Sequence, residues 1–123
     1  MEITFRHSVH KRFYDEMVAK TGCHGDAYRK AFFYTLGIME ETRRNICDCY
    51  NFKHNWVEFD WRTAGWQTST SYKMCRLAFN LYNGYCGADQ DLEGDYTPEA
   101  IFCCELQKYM FEAIKIRYPE YYE

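Results

Sequence analysis

A chain of 123 residues fits one domain that buries roughly two-thirds of its unfolded surface, with no linker or internal repeat to divide it. Twelve Tyr, nine Phe and three Trp against only seven Gly and two Pro exclude a disordered or low-complexity chain. A net charge of −3 from well-mixed charges excludes a global basic field for DNA or RNA, so direct nucleic-acid binding is not expected.

The N-terminal stretch Met1–His10 is charged and lacks the apolar core of a signal peptide, and no apolar run approaches the ~18 residues of a membrane span. A cytoplasmic protein with no membrane contact is expected. Seven cysteines, an odd number without a secretory signal, then read as reduced and mostly packed thiols.

Helical periodicity dominates the chain order. Residues 5–20 read as a first helix, with Phe5, Val9, Phe13 and Met17 on one face and Thr4 as N-cap. Thr21–Gly25 breaks it. Asp26 caps a second helix, AYRKAFFYTL, which ends at Gly37. A third runs roughly from Met39 to Tyr50. The stretch 51–67 is aromatic but aperiodic and reads as a packed loop, with a short extended or 3₁₀ piece around Trp56–Phe59.

The next helix covers about Ser69 to Tyr82. At 100° per residue, Met74, Cys75, Leu77, Ala78, Phe79, Leu81 and Tyr82 span an arc of about 200°, whereas Ser69, Lys73, Arg76, Asn80 and Asn83 share about 80°. So wide an apolar arc predicts a central helix, the most buried of the chain, and Asn83-Gly84 supplies its left-handed stop. After an acidic loop at 85–96, Thr97-Pro98-Glu99 starts one or two helices that fill 98–117, and Pro119 ends the last. The expected fold is all-α: a compact single-domain bundle of five or six helices, residues 1–123, with a long aromatic loop before its central helix.

The polar stripe of that helix is the best site candidate. Lys73 and Arg76 can hold an anion, Asn80 and Asn83 can donate beside them, and Thr68-Ser69-Thr70 opens the helix with hydroxyls and free N–H groups. The plain alternative is a solvated edge between two packed neighbours. Upstream, Trp56, Phe59, Trp61 and Trp66 interleave with Lys53, His54 and Arg62, a set suited to stacking or to capturing a partner's side chain, or simply to core packing. Lys73, Arg76, Asn80, Trp66, Arg62 and Ser69 are therefore the expected ligand- or partner-binding residues.

Other motifs read more weakly. Asp89, Asp91, Glu93 and Gly94 match the opening positions of a calcium loop, but Ala100 stands where its bidentate Glu belongs and Pro98 starts a helix too early. Cys23, His24, Cys47, Cys49 and His54 contain no C-x₂-C pair, and His7 and His10 among Arg6, Lys11 and Arg12 read as a solvated basic face. No nucleophile elbow, P-loop or HExxH occurs, so neither catalysis nor a metal or other cofactor is implied.

The blocks AFFYTLGIMEETRRN (31–45), GWQTSTSYKMCRLAFNLYNG (65–84) and EAIKIRYPEYY (112–122) resemble a family of small proteins known only as a domain of unknown function. Its members occur in Gram-positive gut bacteria, their conjugative elements and phages. The chain departs from that pattern at cysteine-rich positions such as Cys103-Cys104, which weakens a metal or redox role for them. The resemblance implies a compact protein of mobile-element origin with no assigned activity. Small non-enzymatic proteins of that origin are often counter-defence factors, an analogy rather than a derivation. On that analogy the expected partner is a host defence protein such as a CRISPR nuclease. The alternatives are a sponge for a nucleotide immune signal, built on the stripe and the tryptophans, and a housekeeping regulator. A homo-oligomer is compatible with each.

Overall fold

The structure, a computed structural model, describes residues 2–87 and 96–122. The calcium-loop resemblance at 89–95 lies outside the described residues. The described elements are helices α1 (Ser8–Thr21), α2 (Ala27–Leu36), α3 (Glu40–Arg44), α4 (Ser69–Asn83), α5 (Pro98–Phe102) and α6 (Gln107–Arg117), with 3₁₀ turns at Ile46–Asp48, Asp60–Thr63 and Pro119–Tyr121. Tyr50–Asn51 (β1) pairs antiparallel with Trp56–Val57 (β2), Tyr50 opposite Val57 and Asn51 opposite Trp56. The fold is thus mostly helical but not strictly all-α. None of its described helices is long and apolar enough to cross a membrane.

Local signals explain three helix ends. The Asp26 carboxylate accepts from the N–H groups of Tyr28 and Arg29 and starts α2. Thr68 Oγ1 accepts from Ser71 N, and Ser71 Oγ from Thr68 N, a reciprocal cap that opens α4. Gly84, at φ +77°, closes it, its N–H bonded to Asn80 O.

The core is built around α2 rather than α4, a correction to the expected order of burial. Every residue from Ala31 to Met39 is buried, and α2 packs on α1, α4 and α6. α4 buries seven of its fifteen residues, a wide but incomplete arc. Phe32 and Phe33 of α2 meet Tyr50, and Phe32 also meets Phe79 and Tyr82 of α4.

The first helix is shorter than the periodicity suggests and turned by one residue. His7, not Thr4, is its N-cap, and the side chains it buries are His10, Phe13, Tyr14 and Val18, with Val9 exposed. The expected basic face fails at His10, whose side chain is wholly buried. Arg6 N–H donates to its Nδ1 at 3.1 Å, which leaves the proton on Nε2 to donate to Tyr34 O at 2.8 Å. The arm before α1 is fastened by bonds that each involve a side chain. Thr4 N–H donates to Glu112 Oε2 at 2.9 Å, the Tyr34 hydroxyl donates to Thr4 O, and Arg6 Nη1 donates to Ile38 O.

Gly37 lies beneath α1. A Cβ there would come within 2.8 Å of His10 Cδ2 and 2.9 Å of Phe13 Cδ1, with Phe33 O at 3.2 Å. Gly37→Ala should therefore destabilise the protein by about 1–3 kcal/mol, as overpacking does. A melting shift equivalent to less than about 0.5 kcal/mol would show that α1 lifts from α2 at no cost.

The helix expected over Met39–Tyr50 stops at Arg44, followed by the 3₁₀ turn and β1. The aperiodic stretch after it is a hairpin. Asn55 takes φ +59° at its tip, a conformation Asn tolerates, and its N–H donates to Asn51 O at 2.7 Å. The segment 98–117 forms two helices, broken at Cys103–Leu106.

Candidate functional site

Among the described residues the expected stripe lines two different cavities. Lys73 lines a cavity of about 390 Å³ with Thr97, Glu99, Ala100 and Cys103. Asn80 lines a different, largely apolar one of about 270 Å³ with Leu77, Ile101, Ile114 and Tyr118, and its Nδ2 donates to Tyr85 O at 3.1 Å. Trp66 turns elsewhere: its indole N–H donates to Asp48 Oδ2 at 2.8 Å. Ser69 is exposed in the first turn of α4, and Asn83 is exposed at its end.

Arg62 and Arg76 do come together, through a residue the sequence reading passed over. The Tyr72 hydroxyl donates to Arg62 O at 3.0 Å, and the Arg76 guanidinium lies 5.1 Å from the centre of the same ring. Tyr72 also meets Trp61 edge-on. This cluster braces α4 against the turn at Asp60–Thr63.

Cys23 and Cys49 are buried while Cys47 is exposed, and no group of three potential metal ligands is gathered among the described residues. His54 lies stacked on Trp56, ring centres 4.4 Å apart.

A second site is built where three helix ends and the hairpin tip converge. Arg29, in the first turn of α2, donates from Nη1 to Asp26 Oδ2 at 2.8 Å, from Nε to the Tyr50 hydroxyl at 3.0 Å and from Nη2 to Asn55 O at 3.2 Å. It thereby ties α2 to the hairpin tip and lies over the Tyr82 ring at the end of α4. Burial opposes ionisation of Asp26, but the Arg29 guanidinium and the N–H groups of Arg29 and Tyr28 outweigh it and hold the carboxyl below its ordinary value.

At the same end of α2, Arg117 at the end of α6 sits 3.6 Å from the centre of the Tyr28 ring and 4.4 Å from that of Tyr118. Its Nε donates to Leu81 O at 2.9 Å, which joins α6 to the last turn of α4.

This pole presents Tyr28, Trp56, Tyr121 and Tyr122, the last two on and just after the turn that Pro119 starts. All four are about half exposed or more, Tyr121 by 77%. Glu58, the carboxylate nearest Trp56, is occupied by the indole N–H at 2.9 Å and by Asn51 Nδ2 at 3.2 Å. The pole's chemistry is therefore aromatic and cationic. Trp, Tyr and Arg in one patch are the residue types that dominate binding energy at protein interfaces. Of the expected site residues none belongs to it, although His54 and Trp56 were singled out from the sequence. The signal available was the density of YPEYY directly after Arg117.

A family model described as "Family of unknown function (DUF6075)" matches residues 1–123. Comparison with curated proteins and with solved structures gave no match.

Proposed function

The chain belongs to the DUF6075 family, and we propose that it is a non-enzymatic interaction protein that docks its aromatic pole on another protein. The observation that carries this reading is the Arg117 guanidinium held on the rings of exposed Tyr28 and of Tyr118, with exposed Tyr121 packed on Tyr118 and exposed Trp56 next to Asn55, whose carbonyl Arg29 holds. Exposed aromatic groups in one patch cost solubility and are retained where a partner covers them. Rings of this kind bury a large area at a small loss of side-chain freedom.

Within that reading the protein is a counter-defence inhibitor of mobile-element or phage origin, and its partner is a host defence protein such as a CRISPR nuclease. This finer assignment rests on the resemblance to small proteins of Gram-positive bacteria, their conjugative elements and phages. A sponge for a nucleotide signal would use Lys73, Arg76, Asn80 and the tryptophans together; among the described residues Lys73 and Asn80 line different cavities and Trp66 bonds Asp48, which favours the interaction reading.

The test is protection of a phage or plasmid in a host carrying a CRISPR nuclease. The parent protein should protect, and the Tyr28→Ala/Trp56→Ala double variant should melt within a few degrees of the parent while losing protection. Two outcomes sink the reading: no protection by the parent, or full protection by the double variant.

A further inference from the structure

Among the described residues Arg117 is the arginine held between two rings, those of Tyr28 and Tyr118. Arg29 spends its donors on Asp26, Tyr50 and Asn55, whereas Arg6 and Arg43 each donate to a carbonyl at the end of α2, those of Ile38 and Gly37. Arg117 spends only Nε, on Leu81 O. None of the ion pairs among the described residues includes it, and its Nη groups have no described acceptor. Two tyrosine rings and one carbonyl nevertheless fix the guanidinium plane, and the side chain is half-buried.

A fixed, partly desolvated cation with free paired donors is a preformed receptor for a planar anion. The fork matches a carboxylate in geometry, and little side-chain freedom remains to be lost on binding. Among the described residues three carboxylates are already engaged. Asp26 is held by Arg29, Glu58 by Trp56 and Asn51, and Glu112 by Thr4, with Lys115 at 3.9 Å.

We infer that Arg117 receives an aspartate or glutamate side chain of the partner protein, with the Tyr28 and Tyr118 rings that flank the guanidinium contacting the apolar atoms beside it. This rests on the interaction reading above and names the partner's chemistry. A nucleic-acid phosphate could meet the same donors, but one oriented guanidinium in a chain of net charge −3 is not the basic row that backbone binding needs.

The experiment uses isotope-labelled full-length protein and two probes, a capped hexaglutamate peptide and a thymidine hexanucleotide, followed by NMR at low salt. The peptide should shift the Arg117 Nε–H signal and the amides of Tyr28 and Tyr118. Arg117→Gln should weaken peptide binding about fivefold or more, the scale of a charge-assisted hydrogen bond. Lys11→Gln, which removes an exposed cation paired with Asp15, should leave it unchanged.

Because Arg117 also holds Leu81 O, Tyr28→Ala provides a second variant that touches no backbone contact. It should weaken the peptide about twofold to fivefold, as loss of a stacked ring does. The hexanucleotide should bind at least about tenfold more weakly than the peptide. Equal loss in Lys11→Gln, unchanged binding in both Arg117→Gln and Tyr28→Ala, or equal binding of the hexanucleotide each overturns the assignment.

The two readings fail separately. Peptide bound through Arg117 beside full phage protection by Tyr28→Ala/Trp56→Ala overturns the interaction reading and keeps the receptor. Lost protection in that variant with no peptide binding keeps the pole and overturns the carboxylate.

Discussion

Phe79→Ala should lower the unfolding free energy by about 3–5 kcal/mol, the largest effect expected of any single truncation in this chain. The ring is fully buried in α4, and its centre lies 5.2 Å from Phe32, 5.0 Å from Phe59, 5.1 Å from Trp61 and 6.1 Å from Tyr85. Those neighbours come from α2, from the stretch after the hairpin and from the segment after α4, so one side chain fastens three parts of the chain to each other. The cavity left by alanine would not close cheaply. Phe32 is itself packed against Phe33, Tyr50 and Tyr82, and Trp61 against Tyr72 and Tyr85. Chemical denaturation measures the loss, and a value under about 1 kcal/mol would mean that the aromatic cluster does not hinge on this ring. The stretch Phe59–Trp61 leads directly out of β2, so the variant should also loosen the hairpin that carries Trp56. Weaker partner binding is then expected beyond what destabilisation alone explains.

The parts of the fold legible in the sequence are those set by neighbouring residues. The Asp26 start and Gly37 end of α2, the Thr68 cap and Gly84 stop of α4, and the Thr97-Pro98 entry to α5 each depend on contacts within one turn. What the sequence concealed depends on partners far along the chain. The hairpin's strands are two residues each, too short for any alternation to register, and their pairing is held by Arg29 more than twenty positions upstream. His10 reads as one more basic residue in a charged stretch until Tyr34 O, twenty-four residues away, and Arg6 N–H satisfy both of its nitrogens.

The same reason divides the candidate site. A helical projection rightly puts Lys73, Arg76 and Asn80 on one half-buried edge of α4, but it cannot show that α5 and the segment after α4 engage them differently. The aromatic pole is assembled from the start of α2, the ends of α4 and α6 and the hairpin tip. No spacing in the sequence encodes that meeting. Only the exposed position of Tyr28 ahead of the buried run Ala31–Leu36, and the tyrosines after Arg117, hint at it.

Acid should weaken the fold through His10 before its carboxylates matter. Burial pushes the imidazole down from its ordinary 6.5 to about 4; the bond to Tyr34 O works the other way, and the positive charges of His7, Arg43 and Arg6 add to the fall. Its surroundings explain the sign: the Phe5 and Tyr34 rings cover it at 5.2 and 4.5 Å, and its Nδ1 already accepts a backbone N–H that protonation would expel. The unfolded chain therefore binds a proton between pH 6.5 and 4 that the folded chain refuses. Stability from this group is complete above pH 6.5 and is lost as pH falls towards 4, by about 3 kcal/mol in all at about 1.4 kcal/mol per pH unit. Denaturant midpoints measured from pH 7.5 to 4 should fall accordingly. His10→Gln supplies an amide that does not titrate. It should be less stable than the parent at pH 7.5, because it fills the site less well, yet its midpoint should be nearly flat from pH 6.5 to 4.5. The same slope in parent and variant would place the acid sensitivity elsewhere. A flat variant would show that the N-terminal arm is locked down by a histidine that must stay neutral, and arm and α1 should then be the first parts of the chain to gain hydrogen exchange as pH falls.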